Sequence, residues 1–394
     1  MCGVCGIAWN DGERPVPVAR LEHMTELLAH RGPDGRGLHL EPGVGLGFTR
    51  LAIIDPEGGD QPLANEDGSI HVVCNGEIYD HVERRRELES RGHRFRSGSD
   101  AEVLVHLYEE HGLDFVSRLR GMFAFALWDR PRRRLVLGRD RMGIKPLHFA
   151  LVDGGLVFAS EVKSILGSGL IETEVEPAAL RDLFTFGFVR TPRTSFRGVE
   201  QLPAGEILVH EPRGITRRRY WTLDFPEDGG WPEKDRQEWA DSFGAALEEA
   251  VRLHLRSDVP LGAWLSGGID SSAVTALMSR HLGHPVKSYS LLFDEDGYDE
   301  FGDGPALFDF PTFDLEPRSV RCGVEHLELC VRAAWHQEDP AATGIGIARL
   351  LKSGTAARDV RAVLAGEGAD EILGGYHWYG LDDLLRATAA TRAH

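Results

Sequence analysis

The chain has 394 residues, 42% hydrophobic and 27% charged, with a formal net charge of -18. That length favours two domains over one core, and the negative charge disfavours nucleic acid and anionic membranes as partners. With no apolar run long enough to span a bilayer and no basic-then-apolar leader at the start, a cytoplasmic protein is expected.

The first half reads as short strands between glycine turns, with a few helices to cover them. A helix is predicted from Val18 to Ala29, then apolar runs at Val44 to Phe48 and Leu51 to Ile54. Ile70 to Cys74 is a strand expected to end at a turn, Asn75-Gly76. Helices follow over Glu83 to Arg91 and Ala101 to His111, the latter capped by Ser99 or Asp100. Met122 to Trp128 should face Arg134 to Gly138 across a proline-containing turn. This is an α+β pattern, an antiparallel sheet sandwich flanked by helices, over residues 1–205. Between 206 and 235 the chain becomes rich in proline, glycine and charge, passing through Gly229-Gly230-Trp231-Pro232, and reads as a linker. From 236 to 394 the pattern is α/β: a long amphipathic helix with Trp239, Phe243, Leu247, Val251 and Leu255 on one stripe, the strand Leu261 to Leu265, a helix Ser271 to His281, the strand Val286 to Phe293, a helix near Gly346 to Ala357 and the strand Val360 to Ala365. Alternation of this kind predicts a parallel sheet with its ligand at the C-terminal edge. The arginine runs Arg84-Arg85-Arg86, Arg132-Arg133-Arg134 and Arg217-Arg218-Arg219 read as solvated faces. The five cysteines, Cys2, Cys5, Cys74, Cys322 and Cys330, have no zinc-finger spacing.

Two groups of residues carry chemistry. Removal of Met1 would leave Cys2 with its thiol beside its own amine, which has an ordinary pKa of about 7.7 to 8.0 and can act as base without a histidine. Taken alone, Cys2 could equally be an accident of where the chain starts. Asn75-Gly76 can offer a side-chain amide and a backbone N–H to an oxyanion. Arg50 suits a carboxylate, Asp100 an ammonium, and Glu77 a further donor. Each also has a plain structural reading, Asn75-Gly76 as a hairpin turn and Asp100 as a helix cap.

These residues stand in Met1-Cys2-Gly3, His30-Arg31-Gly32-Pro33-Asp34-Gly35, Arg50-Leu51-Ala52-Ile53-Ile54-Asp55, Asn75-Gly76-Glu77-Ile78-Tyr79 and Ser99-Asp100, and the blocks in this order resemble the class II glutamine amidotransferases. The resemblance implies an Ntn-hydrolase-like domain in which Cys2 is the nucleophile, Asn75 and Gly76 hold the oxyanion, and Arg50, Leu51, Ile54, Asn75, Gly76, Glu77 and Asp100 bind glutamine.

The second group is Leu265-Ser266-Gly267-Gly268-Ile269-Asp270-Ser271-Ser272, between an apolar strand and a helix. Small residues there let backbone N–H groups approach phosphate, and the absence of a lysine after the glycines excludes a Walker A loop. It resembles the pyrophosphate loop of the ATP pyrophosphatases, which implies ATP held by Ser266, Gly267, Gly268, Ser271 and Ser272 and Mg²⁺ by Asp270. Gly366-Glu367-Gly368-Ala369-Asp370-Glu371, with Gly374-Gly375-Tyr376, follows a later strand and should reach the same edge. Its acids read either as ligands and orienting groups, Glu367 for the attacking amine and Asp370 for metal, or as dipole-matched decoration of a helix start.

Both groups together, with Gly138-Arg139-Asp140-Arg141-Met142-Gly143-Ile144-Lys145-Pro146 and Phe158-Ala159-Ser160-Glu161-Val162-Lys163, resemble the glutamine-hydrolysing asparagine synthetase family. The resemblance implies hydrolysis of glutamine through a Cys2 thioester, passage of ammonia through an internal channel, and amidation of an aspartate β-adenylate to asparagine, AMP and pyrophosphate. It implies ATP contacts at Leu265, Leu291, Ala365 and Gly366, with Ala365 where a serine is usual. The sequence departs from the family at Phe301 to Ser319, read as an inserted or altered loop after Tyr298-Asp299-Glu300. The family also continues through a further helical region, with a lysine near the phosphates, so the second domain is expected to be truncated. Two alternatives stay open: an ATP-dependent amidotransferase for another small carboxylate, and a glutaminase or ammonia-donor subunit with a non-catalytic second domain. A β-lactam-forming relative is disfavoured because Cys2 keeps its full setting. The expected partners are small molecules, glutamine, aspartate or a similar carboxylate, and ATP; the oligomeric state stays open, a homodimer being one option.

Overall fold

A computed structural model of the protein describes residues 1–225, 230, 232–293, 313–338 and 345–381. The chain divides into two units, the first made of residues 1–233, 256–259 and 329–346, the second of 234–255, 260–328 and 347–394.

The first unit contains β1 (Gly3–Trp9), α1 (Val18–Glu26), β2 (Gly35–Glu41), β3 (Val44–Arg50), β4 (Leu63–Ala64), β5 (Ile70–Ile78), α2 (His81–Ser90), α3 (Val103–His111), β6 (Gly121–Asp129), β7 (Arg134–Arg139), β8 (His148–Val152), β9 (Gly155–Ala159), α4 (Val162–Gly167), α5 (Pro177–Phe186), β10 (Val199–Gln201), β11 (Glu206–Glu211) and β12 (Gly214–Arg219). Among the described residues these strands form two six-stranded sheets, ordered β10-β8-β9-β1-β3-β2 and β12-β11-β7-β6-β5-β4. Their pairings are antiparallel.

Period-two alternation decides the layers. On β1, Val4 and Ala8 enter the core between the sheets, while Cys5, Ile7 and Trp9 point the other way, onto Leu21 and Met24 of α1 and Ile165 of α4. On β6, Ala124, Ala126 and Trp128 face the first sheet, and Phe123, Phe125 and Leu127 face α3 through Leu104, Leu107 and Tyr108. The result is helix, sheet, sheet, helix. Cys2 and Cys5 are an odd spacing apart and serve opposite layers, Cys2 against the inter-sheet core and Cys5 against α1.

Three expectations change. Asn75-Gly76 is not a turn. β5 runs through it to Ile78, with Asn75 opposite Ala124 and Gly76 opposite Phe123 on β6, because β6 offers nine residues of uninterrupted register. Leu51 to Ile54 is apolar but is not a strand; the chain leaves the sheet at Arg50. Residues 206–219, read as the start of a linker, form β11 and β12, since Ile207 and Val209 fit the α3-side core and Leu208 fits the inter-sheet core. The arginine runs are indeed solvated faces: Arg84, Arg85, Arg132, Arg134, Arg217, Arg218 and Arg219 each pair with an acid.

The second unit contains α6 (Arg236–His254), β13 (Leu261–Trp264), α7 (Ile269–Leu282), β14 (Val286–Phe293) and β15 (Leu315–Cys322). After these come α8 (Cys330–Gln337), which belongs with the first unit, α9 (Ile345–Ala356), β16 (Ala362–Leu364) and α10 (Ala369–Leu373). Asp235 and Glu238 form a reciprocal capping box that starts α6. The sheet is parallel, ordered β15-β14-β13-β16, as the alternating pattern requires. Leu315 to Ser319, expected in a loop, instead pair with β14. Tyr298-Asp299-Glu300, Phe301 to Thr312 and the segment after Leu381 lie outside the described residues, as do Gly229 and Trp231. Among the described residues no helix is long and apolar enough to cross a membrane.

Candidate active sites

Register places Cys2 against the end of β3. Gly3 pairs with Thr49, so the residue before it lies beside Arg50 and Leu51. A side chain on Gly3 would meet Thr49 Oγ1 at 2.6 Å and Leu28 Cβ at 2.9 Å, and one on Gly32 would meet the Arg50 nitrogen at 2.3 Å. Both glycines are therefore what allows the chain start and the 30–34 segment to close on β3. The Cys2 thiol accepts from the Leu51 N–H at 3.3 Å and lies 3.5 Å from the Leu51 carbonyl, to which it donates. Arg31 Nε donates to the Cys2 carbonyl at 2.9 Å. Burial pushes the Cys2 thiol up from its ordinary value, with the Leu51 N–H pulling the other way. Burial also holds the terminal amine, here on Met1, down to about 5, so an amine in this environment is neutral near pH 7 and able to take a proton.

Arg50 is almost fully buried and organises the loop that carries Leu51 and Ile54. Its terminal nitrogens donate to the carbonyls of Ile54 (3.3 Å), Asp55 (2.5 Å) and Pro56 (2.9 Å), and to Asp60 Oδ1 at 2.9 Å. Asp60 is four-fifths exposed, so of these partners its carboxylate is the one most easily exchanged for another.

β5 delivers the next three residues. Asn75 is 1% exposed, and neither its amide nitrogen nor its amide oxygen has a protein partner. A buried amide left open on both atoms costs stability unless something else engages it. A side chain on Gly76 would lie 2.1 Å from the Met122 carbonyl oxygen, so glycine is required for β5 and β6 to approach. Glu77 Oε2 is likewise buried and unpartnered. Asp100 is buried and accepts from the Ile78 N–H at 2.7 Å, so it closes onto the end of β5 instead of capping a helix; Ser99 Oγ, accepting from Ala101, is the cap. Burial, and for Glu77 next the charge of Asp100, raises both carboxyls above their ordinary values. Two acids held this way form a site for a cation.

Sequence reasoning assigned no site role to Lys145, Glu161 or Glu338. Lys145 is buried, with Glu77 among the charges acting on it, and its Nζ lies 3.3 Å from Met1 Sδ. Its loop is shaped by Asp140, whose carboxylate accepts from the N–H groups of Phe123, Met142, Ile144 and Lys145. Glu161 gathers Arg31 (2.6 Å), His30 (3.0 Å) and Lys163, and Lys163 reaches Glu338 at 3.0 Å. Of this network, Arg31, Glu161 and Glu338 line a cavity of about 180 Å³ with His148, Gln201 and His336. Glu161 and Lys163 stood in a recognised block; Glu338, far along the chain, had no local signal.

In the second unit the loop Ser266 to Ser272 follows β13 and opens α7. Ser271 Oγ accepts from the Ser266 N–H at 3.1 Å, lies 3.1 Å from Ser266 Oγ, and donates to the Gly268 carbonyl at 3.2 Å. Gly267 has φ +81°, a conformation suited to glycine. Leu265 is fixed between the carbonyl of Tyr289, to which its N–H donates, and Ser290 Oγ, which donates to its carbonyl; Leu291 follows on β14. β16 lies beside β13, so Ala365 and Gly366 emerge next to the loop. A side chain on Gly366 would meet the Ser271 nitrogen at 2.8 Å and Asp270 Cβ at 2.9 Å. The two sequence groups therefore do meet at one sheet edge. Asp270 lies in the first turn of α7 and Asp370 in α10. These helices follow the neighbouring strands β13 and β16, and carboxylates are the ligand type that Mg²⁺ takes, in small number, beside phosphate and water oxygens. Glu367 is exposed, with Arg349 at 3.9 Å.

Residues 1–221 match the glutamine amidotransferase domain family and residues 242–393 the asparagine synthase family. The chain is 36% identical over 362 residues to asparagine synthetase [glutamine-hydrolyzing] 1 of Bacillus subtilis, covering 91% of this chain and 56% of that one. It is 37% identical over 384 residues to amidase chyE of Penicillium rubens, covering 93% of this chain and 56% of that one. The chain thus spans a little over half the length of these relatives. Among solved structures, glutamine phosphoribosylpyrophosphate amidotransferase from B. subtilis aligns with a TM-score of 0.43 at 17% identity, over 73% of this chain and 65% of that one. With the first match covering more than half of the sequence, the chain belongs to the glutamine amidotransferase family and carries an asparagine synthase region behind that domain.

Proposed function

We propose that the first unit hydrolyses glutamine at Cys2 and that the second uses the released ammonia to amidate a small carboxylate, aspartate in the leading reading, activated by ATP. The observation that carries the first half is Asn75, a buried amide with both polar atoms open, two residues along β5 from Glu77, whose charge acts on the desolvated Cys2 thiol. In this reading Met1 is removed and the Cys2 amine takes the thiol proton as sulfur attacks the glutamine carboxamide. Asn75 Nδ2 and the Gly76 N–H hold the oxyanion. The C–N bond breaks as the proton passes to the departing ammonia, leaving a thioester that water hydrolyses to glutamate. The glutamine ammonium lies between Glu77 and Asp100, and its carboxylate replaces Asp60 on Arg50.

In the second unit, the Ser266–Ser272 backbone and hydroxyls hold the phosphates of ATP, Asp270 and Asp370 hold Mg²⁺, and Leu265, Leu291, Ala365 and Gly366 flank the nucleotide. Bound Mg²⁺ would neutralise phosphate charge as pyrophosphate leaves. Glu367 orients the attacking amine toward the activated acyl group, and asparagine, AMP and pyrophosphate result. The match of residues 242–393 to the asparagine synthase family supports this half.

The test is an assay with glutamine, aspartate and ATP–Mg²⁺, reading glutamate, asparagine, AMP and pyrophosphate. Equal release of glutamate, asparagine and AMP is the expected result. Glutamate formed with neither AMP nor pyrophosphate, whatever the acceptor, would reduce the function to a glutaminase or an ammonia donor.

A further inference from the structure

Four side chains from three separate segments of the first unit converge away from any residue used above. Glu66 lies in the connection from β4 to β5, His93 in the loop after α2, and His106 and Glu109 one turn apart on α3; each offers a ligand atom within 4.8 Å of the others. His93 Nδ1 stands 3.3 Å from Glu66 Oε1 and 3.6 Å from Glu109 Oε2, and His106 Nδ1 stands 3.5 Å from Glu66 Oε2 and 3.2 Å from Glu109 Oε2. A tetrahedron of nitrogen and oxygen around Zn²⁺, with bonds near 2.0–2.1 Å, has edges of about 3.3–3.4 Å. With Oε1 as the Glu66 ligand atom, the three edges at 3.2, 3.3 and 3.6 Å scatter about that value, and the fourth distance, from His106, runs to the other Glu66 oxygen.

A second shell is partly built, hydrogen-bonded at His93 and only approached at His106. The far nitrogen of each imidazole faces a further carboxylate, His93 Nε2 to Glu110 Oε1 at 3.1 Å and His106 Nε2 to Glu102 Oε1 at 3.9 Å. His106 is fully buried and its Nε2 has no hydrogen bond. Glu102 is fixed in turn by the N–H groups of Arg96 and Ser97 and by Ser97 Oγ. Asn65 Nδ2 holds Glu109 at 2.8 Å, and the Arg94 N–H holds Glu66 at 2.8 Å. Carboxylates behind metal-bound histidines orient the rings and fix which nitrogen faces the ion. The other histidine–glutamate group, His39, Glu41 and His71, lacks this arrangement: Trp128 and Arg130 already engage Glu41, and the two rings stack at 3.8 Å.

We infer that Glu66, His93, His106 and Glu109 form a Zn²⁺ site. Four protein ligands close the coordination sphere, which is the pattern of a structural ion and not of one that activates water. The ion would pin the β4–β5 connection and the loop from His93 to Ser99 onto α3. That loop leads directly to Asp100.

The test uses the full chain, stripped by chelator and dialysed, with Zn²⁺ alone as probe. One equivalent per chain should survive gel filtration, and Co²⁺ in its place should give the strong visible absorption of tetrahedral coordination. Glu110→Gln, an outer change at the surface, should weaken Zn²⁺ binding about 10- to 100-fold, and His93→Gln should weaken it further, both with unchanged circular dichroism. Failure of the wild-type chain to retain zinc would overturn the site. So would equal retention by His93→Gln, which would place the ion elsewhere, for example on the cysteines.

Discussion

Asn75 tests the oxyanion role most directly. Its amide makes no hydrogen bond within the protein, so Asn75→Ala should leave stability near wild type while lowering kcat for glutamine hydrolysis about 10²- to 10³-fold. Steady-state kinetics with a melting curve separates the two effects. Glu77 carries the opposite balance. Its carboxyl is raised well above 4.5 by burial and then by Asp100, so the unfolded chain gives up this proton first. Stability therefore falls as pH rises from the ordinary carboxylate range toward the raised folded value. Glu77→Gln should melt higher than wild type at neutral pH, with the gap closing as pH falls to about 4.5, the ordinary value. The same variant should raise KM for glutamine roughly 10- to 100-fold through loss of a charged partner for the ammonium. A variant that neither melted higher nor lost affinity would remove Glu77 from the binding site. The proposed roles follow from residue types in sequence blocks. The burial that gives them force was not legible there, because Asn75-Gly76 looks like a turn until β6 is known to continue alongside.

At the scale of elements, α4 shows what local pattern leaves out. Its first N–H groups, on Val162 and Lys163, donate to Glu338 at 2.6 and 2.7 Å, while Glu161, its preceding residue, is turned to Arg31 and His30. Glu338→Ala should cost about 1–2 kcal/mol, as loss of a helix cap does, measured by denaturant unfolding. Helix and strand positions in the first unit followed from apolar spacing, since alternate residues of β1 and β6 serve different layers. Leu51 to Ile54 misled for the same reason in reverse. Its apolar residues pack a loop whose shape is imposed by the Arg50 guanidinium. The histidine–glutamate cluster was invisible because its members come from three elements, and only His106 and Glu109, one helical turn apart, are neighbours in any local sense.

At the scale of the whole molecule, the two units differ, among the described residues, in how much they bury. The first holds three large apolar clusters. The second holds small ones centred on Val251, Ala263, Met278 and Tyr289, while Trp239 and Phe243 on α6 remain 43% exposed. At about 1.5–3 kcal/mol for each large buried side chain, the second unit should melt first. Calorimetry should show two transitions, and ATP–Mg²⁺ should raise the lower one only. Gly366→Ala, which sets a methyl carbon 2.8 Å from the Ser271 nitrogen, should abolish that shift. A single transition, or a shift of the upper one, would contradict the assignment.

The first unit also gathers residues 256–259 and 329–346, with the Asp55 N–H donating to Asp258 and Glu338 seated on α4. During translation, then, the first unit cannot reach its final form when its last strand leaves the ribosome. It must wait for about a hundred further residues, roughly 5–20 s at ordinary elongation rates. Under the proposed function, ammonia release would thereby begin only as the half that would consume it emerges.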